Sequence, residues 1–95
     1  MACASVTSEP KPSEGQKNRS SGNFSTQNCS GRKLKWNCPA GIVFNVMKDV
    51  SGGRDPVIFK DITNGTETEM NNDRSLYIAN PRNARENFTV SVDPL

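Results

Sequence analysis

Residues 76–92 constrain this chain more than any other stretch. They read Leu-Tyr-Ile-Ala-Asn-Pro-Arg-Asn-Ala-Arg-Glu-Asn-Phe-Thr-Val-Ser-Val. Leu76 and Ile78 alternate with Tyr77 and Ala79, and beyond a polar, proline-containing connection Phe88, Val90 and Val92 alternate with Thr89 and Ser91. A period of two places apolar side chains on one face of a strand, so the pattern predicts two half-buried strands and a crossing between them. Two such strands do not stand alone in water, and the rest of the chain must supply a further sheet to cover them.

The remaining apolar residues say where that sheet comes from. Leu34, Trp36 and Cys38 alternate with Lys35 and Asn37 until Pro39 ends the run. Residues 42–47 and 57–62 are β-branched and aromatic, and too short for helices. The glycines and proline of residues 51–56 predict a turn between those two strands. Asn64-Gly65 predicts another, and residues 66–74 read as an edge strand or loop. No stretch shows the 3.6-residue period of a helix. The expected fold is all-β, a small antiparallel β-sandwich.

Ninety-five residues allow one domain, and with 33% hydrophobic residues its core must be small. Between Ala4 and Lys33 only Val6 and Phe24 are large and apolar. Residues 1–30 are therefore expected to be a polar, disordered N-terminal leader, and residues 31–95 the folded domain. The net charge of +2 implies no polyanionic partner by itself. No apolar run approaches the roughly 18 residues that span a bilayer, so any membrane anchor would lie outside this sequence.

Histidine is absent and there are three cysteines, which removes imidazole acid–base chemistry and mixed Cys/His zinc sites. No serine or cysteine has an evident base. The chain is not expected to be an enzyme or to carry a cofactor or metal. Asp61, Glu67, Glu69 and Asp73 do not match an EF-hand spacing and read as a solvated face. Ser51-Gly52-Gly53-Arg54 lacks the Lys-Ser/Thr and the helix of a phosphate loop.

Five Asn-x-Ser/Thr triplets stand out, at Asn18, Asn23, Asn28, Asn64 and Asn87, where roughly two would arise by chance. They predict N-glycosylation, which requires exposed backbone, and four of them lie in the leader or a turn. Cys29 and Cys38 flank a glycine-containing polar turn and are the expected disulfide pair; the alternative is a buried Cys38 thiol. Ala2-Cys3-Ala4 has the Ala-x-Ala form of a signal-peptidase site without the apolar region that precedes one, and cleavage there would remove Cys3. Arg32, Lys33 and Lys35 beside Trp36 form a basic cluster that could hold a glycosaminoglycan; no nucleic-acid partner is expected.

Leu76-x-Ile78 followed by Phe88-x-Val90-x-Val92 resembles the E-to-F region of immunoglobulin V-type domains, with Phe88 at the corner tyrosine and Val90 at the second cysteine. Residues 34–40 are similar to the B strand, with Cys38 at the first cysteine, and residues 42–47 and 57–62 then correspond to C and C′. The resemblance extends to lymphocyte adhesion receptors and to viral immunoglobulin-like glycoproteins. It departs from the pattern at Val90, which cannot form the central disulfide, and at Ala84 and Glu86, which replace the corner Asp and Gly.

What the resemblance implies is a glycosylated ectodomain, secreted or at the cell surface, that acts by adhesion to another protein such as a receptor or its ligand. Its recognition face would be the sheet carrying residues 42–47, 57–62 and 88–92, with Lys48, Arg54 and Lys60 as partner-binding candidates. Two other classes stand beside it: a non-glycosylated, intracellular structural or assembly subunit with a partner-binding N-terminal arm, and a polyanion-binding module built on the basic cluster.

Overall fold

The computed structural model describes residues 2–12 and 18–95. Seven strands occur among them: β1 (Ala4–Ser8), β2 (Lys33–Asn37), β3 (Val43–Lys48), β4 (Val57–Ile62), β5 (Glu67–Glu69), β6 (Leu76–Arg82) and β7 (Phe88–Pro94). They form two antiparallel sheets, one of four strands in the order β1-β7-β2-β5 and one of three in the order β4-β3-β6. The inner faces of the two sheets pack together as a sandwich. The all-β expectation holds, and the strands read from the sequence at residues 34, 42, 57, 76 and 88 begin within a residue of their observed starts.

Alternation fills the core as the sequence requires. Leu34 and Trp36 from β2, Phe44 and Val46 from β3, Leu76 and Ile78 from β6, and Phe88, Val90 and Val92 from β7 are all buried in one cluster. Trp36 lies at its centre, with Phe24, Phe44 and Phe59 edge-on at centroid distances of 6.2, 6.4 and 5.8 Å. Its indole N–H donates to Thr68 Oγ1 at 2.9 Å, so burying the ring strands no donor.

The leader departs from expectation. Residues 4–8 form β1, which pairs along β7 from Ala4 opposite Val92 to Ser8 opposite Phe88. The chain then crosses to the other sheet, where single bridges join Arg19 to Ala79 and Phe24 to Leu76 on the free edge of β6. A polar segment can do this because its hydroxyls are small and mutually satisfied. Ser8 Oγ lies 2.8 Å from Ser20 Oγ, which donates to the Ile78 carbonyl, while Ser21 Oγ accepts from the Ile78 N–H at 2.8 Å. Thr26, fully buried, donates to the Asn71 carbonyl and accepts from the Asp73 N–H. Disorder of residues 1 and 13–17 is an expectation that lies outside the described residues.

The cysteine pairing is also corrected. Cys3 is bonded to Cys29, with Cα atoms 5.1 Å apart, and Cys38 is the free thiol. The bridge joins the start of β1 to the turn before β2, a pairing invisible while the leader is read as unfolded. Cys38 is half-buried against the core, and that burial pushes its thiol above the usual range.

Strand pairing differs from the immunoglobulin assignment. B and F of that fold belong to opposite sheets, as do C and E. Here β2, which stood for B, is hydrogen-bonded to β7, which stood for F, and β3 is bonded to β6. Val90 therefore does not face β2 across the sandwich. The expected recognition sheet is divided, because β3 and β4 lie in one layer and β7 in the other.

Candidate functional site

Each sheet presents one outer face, and the two differ in chemistry. On the four-stranded sheet, Lys33 and Lys35 point away from the core because Leu34 and Trp36 point into it. Their register places Lys33 opposite Glu69, and Lys35 between Glu67 on one side and Asp93 on the other. Opposite charges directly across a ladder attract, so both lysines of the basic cluster stand beside carboxylates, while Arg32 is exposed just before β2 and outside the ladder. Asp61 and Asp73 are likewise paired, with Arg82 and with Lys48. The Arg82 guanidinium holds the Asp61 carboxyl below its ordinary range.

The three-stranded sheet carries a denser constellation. Tyr77 points outward from β6 between the inward Leu76 and Ile78, yet is only 1% exposed. Its cover comes from two remote segments. Arg19, on the N-terminal segment bridged to β6, sets its guanidinium 3.8 Å from the centre of the ring. Asp55, in the turn before β4, accepts the phenolic O–H at 2.5 Å. A partly buried cation over an aromatic face contributes about 1–2 kcal/mol. Burial, and then the hydrogen bond and negative charge of Asp55, push the Tyr77 hydroxyl up to about 12, so it is a neutral donor at physiological pH.

Arg19 is itself anchored. It donates to Asn23 Oδ1 at 2.6 Å and to Asp49 Oδ2 at 3.0 Å, and Asn23 Nδ2 reaches the same carboxylate at 3.2 Å. Beside this group lies a depression of about 370 Å³, lined among the described residues by Asn18, Met47, Arg54, Asp55 and Tyr77. That volume falls at the low end of the roughly 300–1,000 Å³ of small-molecule sites.

The partner-binding candidates separate. Arg54 lines the depression. Lys48 is held by Asp73 at 2.7 Å and is not available as a free cation. Lys60 is exposed on β4, the outermost strand of its sheet. Val57, three positions earlier on the same strand, is 51% exposed, one of the few large apolar side chains left outside the core.

All five acceptor asparagines are exposed. Asn18 and Asn23 lie along the edge of β6, and Asn28 and Asn64 in turns. Asn87 points outward immediately before the buried Phe88. In Asn64 the bonded atom is Oδ1, which accepts the Cys38 N–H, rather than the Nδ2 that would carry a glycan. Asn28 is followed by the disulfide-bonded, buried Cys29.

Sequence reasoning did not find Arg19, Asp55 or Tyr77 as a group. An aromatic residue on the outward phase of a strand was the one local signal, and its partners lie 58 and 22 positions away. No protein-family model matches the chain, and no characterised protein or solved structure does either. What the domain does must be argued from its own residues.

Proposed function

We propose that this is a secreted or surface-tethered glycoprotein domain that recognises another protein and performs no catalysis. The observation that carries this reading is the disulfide between Cys3 and Cys29. Such bridges form and persist in oxidising compartments and are used by small domains whose cores cannot hold them alone. The exposure of all five acceptor asparagines accords with it. The two-sheet sandwich suits an immunoglobulin-like recognition domain, while its strand pairing speaks against direct descent from the V-type pattern.

The surface proposed for the partner is the β4 edge with Arg54, Val57 and Lys60. Sheet order gives the reason. Asn23 stands along β6, at the opposite edge from β4, so its glycan would leave the β4 edge open, while a glycan on Asn18, which shares the depression with Arg54, would reach only the Arg54 end of that surface. Val57 offers apolar area, and the two cations favour an acidic partner.

Two measurements test the proposal. Intact mass after expression in a secreting eukaryotic host, with and without glycosidase, should show glycan mass and one free thiol; no glycan shift would sink the glycoprotein reading. Cell binding by a multivalent form of the domain should fall in R54E and K60E. Unchanged binding would remove the β4 edge from consideration.

A further inference from the structure

We infer that an N-linked glycan on Asn18 folds back into the depression beside Tyr77, where its first acetamido sugar serves as a structural part of the domain. The inference rests on the glycoprotein reading above and assigns Asn18 a role the other acceptors lack.

Position is the first argument. Asn18 opens the complete acceptor triplet Asn18-Arg19-Ser20 and also lines the depression, whereas no other acceptor asparagine is among its described lining residues. A sugar attached there needs no diffusional encounter, because the tether holds it at high effective concentration.

The attachment point is also fixed. Asn18 adopts the left-handed conformation, φ 66°, which asparagine tolerates better than most residues, and its carbonyl accepts the Asn80 N–H at 3.0 Å. The next residue, Arg19, is held over Tyr77 and by Asp49, and Ser20 is buried with its hydroxyl bonded to Ser8. A rigid anchor reduces the entropy lost when the attached group docks.

The lining suits the occupant. An acetamido sugar has apolar C–H faces and, at its edges, hydroxyl and amide groups. Met47 supplies apolar surface and Arg54 a charged donor, beside Tyr77 and Asp55, which are already bonded to each other. The contrast with Asn23 is chemical. Its Nδ2 donates to Asp49, so a glycan there would disturb a contact that holds Arg19 in place.

Burial of the Ser20 hydroxyl means that glycosylation at Asn18 must precede folding, and it makes S20A a poor test, since that variant also removes two hydrogen bonds. The clean variant is N18Q, compared with N64Q and N87Q. Each is made in a secreting host and, as a non-glycosylated control for the altered backbone preference, in a bacterial host. In the glycosylated background N18Q should lower Tm by roughly 4–8 °C, a change of about fivefold in the folding equilibrium, with N64Q and N87Q having little effect. The loss should be absent from the non-glycosylated background. Trimming every glycan to its first sugar should preserve the stability, and adding M47S should abolish the difference between the N18Q variant and the unsubstituted chain by removing the apolar lining. An equal N18Q effect in both backgrounds overturns the inference. So does glycan mass at Asn64 or Asn87 with none at Asn18. Absence of glycan at every site instead overturns the glycoprotein reading on which the inference depends.

Discussion

Removing the Cys3–Cys29 bridge should destabilise this domain heavily. The two cysteines are 26 positions apart, and the loop they close contains the whole crossing from one sheet to the other. Cross-linking a loop of that length removes about 12 cal/mol/K of chain entropy from the unfolded state, or about 3.5 kcal/mol at 25 °C. A domain of this size has a total stability of roughly 5–14 kcal/mol, so the bridge accounts for a quarter or more of it. The test is the double variant C3S/C29S against C38S, each unfolded in guanidinium chloride. Trp36, the single tryptophan, reports the transition because its indole lies between the sheets among three phenylalanines. The double variant should lose about 3 kcal/mol and fall in Tm by more than 10 °C, in line with about 4–8 °C per kcal/mol for a chain this short. C38S, at a half-buried thiol with no covalent partner, should lose less than about 1 kcal/mol. If C3S/C29S shifts the transition no further than C38S, the bridge does not hold the N-terminal segment and the reasoning fails.

Other expectations follow from single contacts. Trp36→Ala should cost about 3–5 kcal/mol, measured by the same denaturation with circular dichroism as the probe, whereas Trp36→Phe should cost less because it keeps most of the ring contacts. Tyr77 holds its proton more tightly folded than unfolded, so its contribution to stability should be level below about pH 10 and decline as pH rises toward about 12. Absorbance titration of the phenol should follow that window, and Y77F should remove the decline. Neutralising Lys33 and Lys35 together should leave retention on heparin unchanged, because Glu67, Glu69 and Asp93 already oppose them in the ladder. A marked loss of retention would show that the cluster acts as a polyanion site.

The sandwich strands were legible because period-two alternation is set by burial, which the sequence records directly at Leu34, Trp36, Phe88, Val90 and Val92. The N-terminal third was not. Its contribution rests on Ser8, Ser20, Ser21 and Thr26, whose hydroxyls are indistinguishable in composition from those of a solvated linker until their partners on β6 and the loop before it are in place. Sheet membership was misread for a related reason: alternation fixes which side chains point inward, but not which strand lies beside which. Lys48, Arg54 and Lys60 were expected on an exposed face because of the immunoglobulin resemblance, and Arg54 and Lys60 are exposed while Lys48 is half-buried. The cluster around Tyr77 needed the tertiary fold, because Arg19 and Asp55 come from separate turns of the chain and carry no local signature.

The pairing of Ala4 with Val92 sets an order of events for the chain as it is made. β1 is made before β7, its hydrogen-bonding partner, which follows it by 80 or more positions, and the edge that receives residues 19–24 belongs to β6. Contacts between segments this far apart in sequence are slow to form because closing the intervening loop costs entropy before any contact is gained. Residues 4–8 and 19–24 therefore lack their strand partners until β6 and β7 have been made. An enzyme that modifies Asn18 must act within that interval, because Ser20 of its acceptor triplet is buried against β6 once the segment docks.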